Sequence, residues 1–136
     1  MDHHSMEIKD IKQWKTELVR FMMAYKFAVK EISTKINILQ EEFEHIHEYN
    51  PIEHVKTRVK TPESILKKVK RKGFALNLPS IQENIRDIAG IRINCSFVSD
   101  IPKVANMLLQ QKDITLIEKK DYIKNPKPNG YKSLHL

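Results

Sequence analysis

The sequence predicts an α/β (α+β) domain, with a mixed layer of strands and helices, preceded by a long N-terminal helical segment. Three observations support this prediction. Residues 7–49 contain neither glycine nor proline and carry apolar side chains every three or four positions, which is the helical period. Beyond residue 50, strand-like alternation recurs between short helical stretches, as in mixed α/β folds. The 136 residues suffice for one compact domain, and no apolar run approaches the roughly 20 residues of a membrane span.

The N-terminal part divides into two segments. Residues 1–6 are expected to be an added tag or a disordered start outside the fold. Residues 7–50 are expected to form one long helix or a helical hairpin, and the sequence leaves both open. A single apolar stripe of about 40 residues is longer than a small domain usually covers. The segment is therefore predicted to mediate homo-oligomerisation; the alternative is a helix folded back on itself as a hairpin.

Residues 51–136 form the second predicted domain, in which capping and breaking residues mark short elements. Thr61 and Pro62 are typical of a helix start, and Gly73 of its end. Ile91, Ile93, Cys95 and Phe97 are expected to share one face of a strand. The other elements are expected at 80–86 (helix), after Ser99 (helix), and at 88–98, 114–117 and 131–136 (strands).

Positive charge is concentrated in one block. The chain has 24 Lys+Arg and 17 Asp+Glu, a net charge of +7. Residues 56–72 hold eight Lys/Arg and one acid, while the remaining 119 residues hold sixteen of each sign. Such a block fits a solvated helix face, a nucleic-acid-binding patch or a site for a polyanionic small molecule. The near absence of interleaved acids weakens the first interpretation.

Within this block, one helical stripe is suited to phosphates. Ser64, Lys68 and either Arg71 or Lys72 are spaced to share a face, and Arg58 and Lys60 lie on the approach to that helix. A row of cations with one hydroxyl can follow a chain of phosphate groups. The sequence therefore predicts a polyphosphate site along this stripe.

Asp87 stands at the start of the predicted 88–98 strand and is a candidate metal ligand. A single carboxylate there suits Mg²⁺, which takes one or two protein carboxylates together with phosphate oxygens and water. The alternative is a simple ion pair with the neighbouring Arg86.

The last segment carries a candidate base-binding surface. Tyr131 and His135 are expected on one side of a strand, about 7 Å apart, which suits a stacked base and a nearby phosphate. The alternative is an ordinary hairpin with an Asn-Gly turn. The lone Cys95 lies in an apolar run, which indicates a reducing compartment and hence the cytoplasm.

Three segments together resemble the synthetase domain of RelA/SpoT-type enzymes. Their sequences are RVKTPESILKK (58–68), IRDIAGIR (85–92) and DYIKNPKPNGYKSLH (121–135). The chain is most similar to the small, single-domain alarmone synthetases, since a helical N-terminus leads directly into the domain. The resemblance implies a nucleotidyltransferase-like mixed sheet flanked by helices, and assembly as a tetramer. It also implies a GTP pyrophosphokinase that transfers the β,γ-diphosphate of ATP to the 3′-hydroxyl of GDP or GTP, producing the stringent-response alarmone (p)ppGpp.

The resemblance also implies roles for individual residues. Asp87 would bind Mg²⁺ and, with Lys68, carry catalysis. The ATP-binding residues would be Arg58, Lys60, Ser64, Lys68, Arg71 and Arg92. The GDP- or GTP-binding residues would be Lys120, Lys127, Asn129, Tyr131 and His135.

One family feature has no counterpart in this sequence. In the family, a later strand supplies a Glu within a Glu-x-Gln-Ile-Arg-like motif, whereas this sequence ends at Leu136. Residues 51–136 are therefore expected to be a partial synthetase domain, with transfer slowed about 10²- to 10⁴-fold for want of the general base. The alternatives are a nucleic-acid-binding module, which the motifs make unlikely, or a guanine-nucleotide-binding regulatory subunit.

Overall fold

The computed structural model describes residues 8–46 and 49–136, and within them the chain alternates helices and short strands. The elements are α1 (Ile8–Ile46), β1 (Ile52–Val59), α2 (Pro62–Lys72), α3 (Leu78–Asn84), β2 (Ala89–Cys95), α4 (Asp100–Leu109), β3 (Lys120–Asp121) and β4 (Leu134–His135). This confirms the predicted mixed α/β class with a long N-terminal helix. The predicted tag or disordered start at residues 1–6 lies outside the described residues. Across the described part of the chain, no helix is long and apolar enough to span a membrane.

The strands form two small sheets, β1 with β2 and β3 with β4. Backbone hydrogen bonds flank the first pair: the amide of Lys60 donates to the Ile88 carbonyl (2.7 Å), and that of Ser96 to the Pro51 carbonyl (2.9 Å). These contacts make β1 and β2 antiparallel. The second pair is also antiparallel, with Lys120 opposite His135.

The chain divides into two compact units. Of the described residues, 8–34 and 56–92 belong to unit 1, and 35–46, 49–55 and 93–136 belong to unit 2. Helix α1 contributes to both units as one uninterrupted helix, which rules out the helical-hairpin alternative.

The core of unit 1 packs α1 against the elements that carry the basic block. Its buried side chains are Leu18, Met22, Ile65, Val69, Ile81, Ile85 and Ile88. Four of these isoleucines have no exposed surface, and each contributes about 1.5–3 kcal/mol by leaving water. Apolar packing therefore fixes one face of α2 and leaves its cationic face outward.

The ends of α2 follow from its sequence, as predicted. The Thr61 hydroxyl accepts a hydrogen bond from the amide of Ser64 (3.1 Å), and Pro62 occupies the first helical turn. At the other end Gly73 adopts a left-handed conformation with φ 71°. The amide of Phe74 then donates to the Val69 carbonyl (3.1 Å), which satisfies a carbonyl that the helix end leaves free.

Gly73→Ala is expected to destabilise the protein by about 1 kcal/mol, because a Cβ is disfavoured in the left-handed region. An added Cβ would meet nothing within 4 Å, so the cost is purely one of backbone conformation. The measurement is the free energy of unfolding by urea. Gly90→Ala is the matched control, since that Cβ also enters open space but at a glycine without positive φ. Equal losses in both variants would contradict the backbone explanation.

Unit 2 contains a buried carboxylate near the start of α4. Asp100 is 3% exposed and accepts hydrogen bonds from the Tyr49 hydroxyl and from the amide of Phe97 (3.1 Å for the latter). The hydrogen bond to Asp100, together with partial desolvation, raises the pKa of Tyr49 to about 12. Ser99 precedes α4 as predicted but makes no side-chain capping bond, so the adjacent carboxylate organises this turn instead.

Several element boundaries differ from the sequence prediction. The helix expected at 80–86 spans Leu78–Asn84, because the Asn77 side chain caps it by accepting from the amide of Ser80 (2.8 Å). The strand expected at 88–98 ends at Cys95. Phe97 therefore does not share the inner face of that strand: it is 64% exposed, and its carbonyl accepts from the amide of Asp100 in a turn.

The alternation within β2 is confirmed, whereas two other predicted strands are wrong or shortened. Residues 91, 93 and 95 are half-buried and residues 92 and 94 exposed. Residues 114–117 form no strand, and residues 131–136 form one only at Leu134–His135. Ile117 is 86% exposed, so its apolar run lacks the partner that a strand requires.

Candidate functional site

In unit 1, two predicted lysines meet at the carboxylate of a third predicted residue, Asp87. The Lys68 ammonium lies 2.9 Å from Asp87 Oδ1, and the Lys60 ammonium lies 3.2 Å from Oδ2. Lys68 is on the outward face of α2, Lys60 follows β1, and Asp87 precedes β2. The hydrogen bond from the Lys60 amide to the Ile88 carbonyl ties the two strand ends together. Backbone pairing and the packing of α2 thus bring these three side chains to one point.

The electrostatics of this cluster keep Asp87 ionised. Partial burial opposes its ionisation, but hydrogen bonds from Lys68 and Lys60 outweigh that effect and hold the pKa of Asp87 below its ordinary value of 3.8. The two ion pairs contribute fully to stability at pH values above the ordinary pKa of an aspartate. Their contribution is lost as the pH falls through the lowered pKa of Asp87. The Asp87 side chain remains 57% exposed, whereas that of Lys60 is 10% exposed. A ligand can therefore reach the carboxylate from solvent.

The alternative pairing with the neighbouring residue is wrong. Arg86 Nε donates to the Glu83 carbonyl (3.3 Å), and within the described ranges, 8–46 and 49–136, the ion pairs of Asp87 are with Lys60 and Lys68. Asp87 is thus held by the basic block and not by its own neighbour in sequence.

The other predicted donor-site residues make no hydrogen bond or ion pair with Asp87 in the described part of the chain. Ser64 is half-buried in the first turn of α2, where its amide binds the Thr61 hydroxyl. Arg58 on β1 and Arg92 on β2 are exposed, and Arg71 is exposed in the last turn of α2. That Ser64, Arg58, Arg71 and Arg92 bind phosphates stays a prediction.

The residues around Asp87 fit a magnesium ion only when substrate phosphates supply part of its coordination. Among the residues that the structure describes, no group of three or more His, Cys, Asp or Glu side chains could hold a metal. Mg²⁺ is commonly bound by one or two carboxylates with the remaining positions taken by substrate phosphates and water. The Asp87 carboxylate meets that requirement, because the two ammonium groups beside it can bind phosphate oxygens.

In unit 2, four predicted acceptor-site residues lie together around one turn. The Tyr131 hydroxyl is 2.9 Å from His135 Nε2, and the two rings are perpendicular with centroids 5.9 Å apart. The Lys127 ammonium lies 5.1 Å from the centre of the Tyr131 ring, within range of a cation–π interaction. Asn129 Oδ1 accepts from the amide of Tyr131 (3.0 Å).

The turn that presents them was indicated by the Asn-Gly pair. Gly130 has φ 84°, and its amide donates to the Lys127 carbonyl (2.8 Å). This turn returns the chain so that β4 pairs with β3. The fifth predicted residue, Lys120, lies opposite His135 in that pairing, but its ammonium is 3.8 Å from Glu118 Oε1.

Sequence reasoning assigned no role to Tyr122, although it lies at the centre of this cluster. Its ring centroid is 5.1 Å from that of His135 and 6.1 Å from that of Tyr131. The Lys127 ammonium is 4.8 Å from its centre. The place of Tyr122 follows from the antiparallel pairing of residues 120–121 with 134–135. In that register residue 122 lies opposite residue 133, diagonally across from residue 135 on the same face, and no periodic signal in the sequence reveals this register.

Fold and clusters together define a class of protein: an α/β protein with a carboxylate between two lysines in unit 1 and an aromatic cluster with its own lysine in unit 2. A family model described as the region found in RelA / SpoT proteins matches residues 57–136. The chain therefore belongs to the RelA/SpoT family, which confirms the resemblance of its three motifs.

Individual relatives agree with this assignment. The chain is 48% identical over 134 residues to the GTP pyrophosphokinase YwaC of Bacillus subtilis, covering 98% of this chain and 62% of that protein. It is similar to the crystal structure of the small alarmone synthetase 1 of B. subtilis bound to its product pppGpp, with TM-score 0.73, 41% identity and coverage of 90% and 61%. The same enzyme bound to AMPCPP gives TM-score 0.64, 42% identity and coverage of 82% and 56%. The chain thus spans about three fifths of the length of these relatives.

Proposed function

We propose that the protein is a GTP pyrophosphokinase that makes (p)ppGpp. The 3′-hydroxyl oxygen of GDP or GTP forms a bond to the β-phosphorus of ATP, and the hydroxyl proton passes to solvent. The bond between that phosphorus and the oxygen that bridges it to the α-phosphorus breaks, and AMP leaves with that oxygen. The observation that carries the proposal is the position of Asp87 between Lys60 and Lys68. The identity to YwaC, named as a GTP pyrophosphokinase, supports it.

For the donor, the two lysines would exchange one anion for another. On binding of ATP, Lys60 and Lys68 turn from Asp87 to the phosphates, and Arg58, Ser64, Arg71 and Arg92 supply further contacts. Asp87, freed from its lysines, would hold Mg²⁺, which supplies neutralisation of the charge on the transferring phosphates. Transfer of phosphoryl groups depends chiefly on positioning and charge stabilisation, so this set of residues suits the reaction. The AMPCPP complex of a relative supports an ATP site in the family.

For the acceptor, the cluster in unit 2 would bind the guanine nucleotide. Tyr131 stacks on the base, Asn129 contacts the base edge, and Lys120, Lys127 and His135 address the phosphates. An exposed aromatic ring with a lysine and an imidazole beside it offers both a stacking surface and hydrogen-bond donors. The pppGpp complex of the related synthetase supports a guanine site.

We also propose a cytoplasmic homo-oligomer, a tetramer, assembled through the N-terminal helix. Val19, Met23 and Phe27 recur every four residues on α1, and they are 50%, 43% and 49% exposed. Such an apolar stripe is typical of a face that packs on another protein surface. A second copy of the same helix would bury it.

Lys68→Ala and Tyr131→Ala test the assignment of the two nucleotides. Lys68→Ala is expected to weaken binding of a non-hydrolysable ATP analogue about 10- to 100-fold, because a charge-assisted hydrogen bond is lost, with little change for GDP. Tyr131→Ala should weaken GDP and leave the ATP analogue unchanged. Calorimetric titration measures both affinities, and release of AMP with guanosine tetra- or pentaphosphate from ATP, GDP or GTP and Mg²⁺ measures the reaction.

Lys67→Ala is the matched control, since Lys67 is an exposed lysine on the same helix. It should leave ATP affinity within about twofold of wild type, as for most surface changes. If Lys67→Ala and Lys68→Ala instead weakened binding of an oligonucleotide equally and with steep salt dependence, a nucleic-acid module would replace the proposed enzyme.

A further inference from the structure

Tyr122 makes ring contacts with three residues that are proposed to bind the acceptor nucleotide. It lies edge-to-face with His135, at an interplanar angle of 77°, and with Tyr131, at 66°. The Lys127 ammonium sits over the rings of both tyrosines, 4.8 Å from Tyr122 and 5.1 Å from Tyr131. The Tyr122 ring is thus a common neighbour of the stacking ring, the imidazole and the cation.

Hydrogen bonds on both sides fix the main chain at Tyr122. The amide of Tyr122 donates to the Ser133 carbonyl (2.8 Å), which continues the β3–β4 ladder by one residue. On the other side, Asp121 Oδ1 accepts from the amides of Ile123 (3.0 Å) and Lys124 (2.9 Å), and this closes a tight turn. Tyr122 is half-buried between these constraints. Its position is therefore set by the hairpin before any nucleotide arrives.

We propose that Tyr122 is a positioning residue for the acceptor nucleotide. It orients the His135 imidazole through edge-to-face packing, and it retains the Lys127 ammonium through a cation–π interaction. This inference rests on the proposed guanine-nucleotide site around Tyr131.

The shared lysine explains why a second tyrosine is useful. In the free protein Lys127 interacts with two aromatic rings, and a guanine that stacks on Tyr131 competes for one of them. Tyr122 is edge-on to Tyr131 and keeps its own face available to the ammonium. Lys127 therefore stays beside the base when Tyr131 is occupied, with its cation directed to the phosphates, and the site does not have to reorder a long flexible side chain on binding.

Tyr122→Leu tests the proposal by removing the aromatic ring and keeping apolar bulk. The affinity for GDP is expected to fall about tenfold, the combined effect of the two lost ring contacts and the lost cation–π contact, while affinity for a non-hydrolysable ATP analogue stays the same. Tyr122→Phe should rescue the GDP affinity, since the contacts of Tyr122 with His135, Tyr131 and Lys127 are all made by its ring. Phe97→Leu is the matched control, because it exchanges an exposed ring for leucine elsewhere in unit 2.

A double-variant cycle separates positioning from a general structural role. Lys127→Met should weaken GDP binding in the wild type, and should weaken it less when Tyr122 is already leucine, because the two act through one contact. Purely additive effects, equal losses for GDP and the ATP analogue, or a phenylalanine variant as weak as leucine would overturn the proposal. If the leucine variant unfolds, Tyr122→Met measured at lower temperature takes its place. Failure of the wild type itself to bind GDP would instead refute the proposed function.

Discussion

Asp87→Asn is expected to slow diphosphate transfer about 10²- to 10³-fold, the cost typical of removing one preorganised charge-stabilising group from an active site. The amide keeps the size of the carboxylate but loses the charge that a hard divalent cation requires. Binding of a non-hydrolysable ATP analogue without metal should be retained or tightened, because Lys60 and Lys68 lose the anion that holds them, 3.2 and 2.9 Å away. The measurements are release of AMP for transfer, calorimetry for the analogue, and paramagnetic resonance of Mn²⁺ for the metal.

Asp113→Asn is the control for that variant. Asp113 is also paired with a lysine, Lys35, at 3.1 Å, and this hydrogen bond lowers the pKa of Asp113. It lies in unit 2 and belongs to neither nucleotide cluster, so its loss should leave transfer and Mn²⁺ binding unchanged. Unaltered Mn²⁺ binding in Asp87→Asn in the presence of the ATP analogue would contradict the assignment of Asp87 as the metal ligand.

The same ion pairs explain how one carboxylate can be both a structural and a functional group. In the free protein Lys60 and Lys68 neutralise Asp87 and keep it ionised, so the fold does not hold an unpaired carboxylate beside its core. In the proposed donor site, ATP phosphates would attract the same two lysines, and the carboxylate would be released together with its charge. The residues that form the structural ion pairs would then also form the proposed phosphate and metal site.

The site could be predicted from the sequence where its geometry is local. Helical spacing placed Ser64, Lys68 and Arg71 on one face of a helix whose caps are readable at Thr61 and Gly73, and the structure has those bounds. The proximity of Asp87 to this helix could only be suspected. It depends on the pairing of β1 with β2, which joins residues far apart in sequence, and spacing rules do not extend that far.

The acceptor cluster shows the same limit. The Asn-Gly turn and the closeness of Tyr131 to His135 were predictable, but the expected strand over 131–136 is reduced to two residues. The position of Tyr122 follows from the register of β3 with β4, and the position of the Lys127 ammonium depends on side-chain rotamers. Neither leaves a periodic signal in the sequence. The predicted strand at 114–117 failed for the related reason that apolar residues alone do not provide a pairing partner.

Ile65→Ala is expected to lower the free energy of unfolding by about 3–4 kcal/mol, because removing a fully buried aliphatic side chain loses its transfer energy and leaves a cavity. Ile65 has no exposed surface and lies on α2 in the core of unit 1. Urea denaturation measures the loss. Ile117→Ala removes the same atoms from a side chain that is 86% exposed, and should change stability by less than about 0.5 kcal/mol.

Ile65→Ala also tests whether binding of an ATP analogue depends on the packing of the unit 1 core. If α2 keeps its place in the folded fraction, an ATP analogue at 100 times its dissociation constant should stabilise Ile65→Ala by about 2.7 kcal/mol, the value set by binding to the folded state alone. The double variant with Lys68→Ala should regain much less at the same concentration. If the analogue raised the free energy of unfolding equally in Ile65→Ala and in the double variant, it would bind away from Lys68. Recovery in neither would mean that the core and the phosphate site are lost together, and that the packing of α2 is itself a requirement for binding the donor.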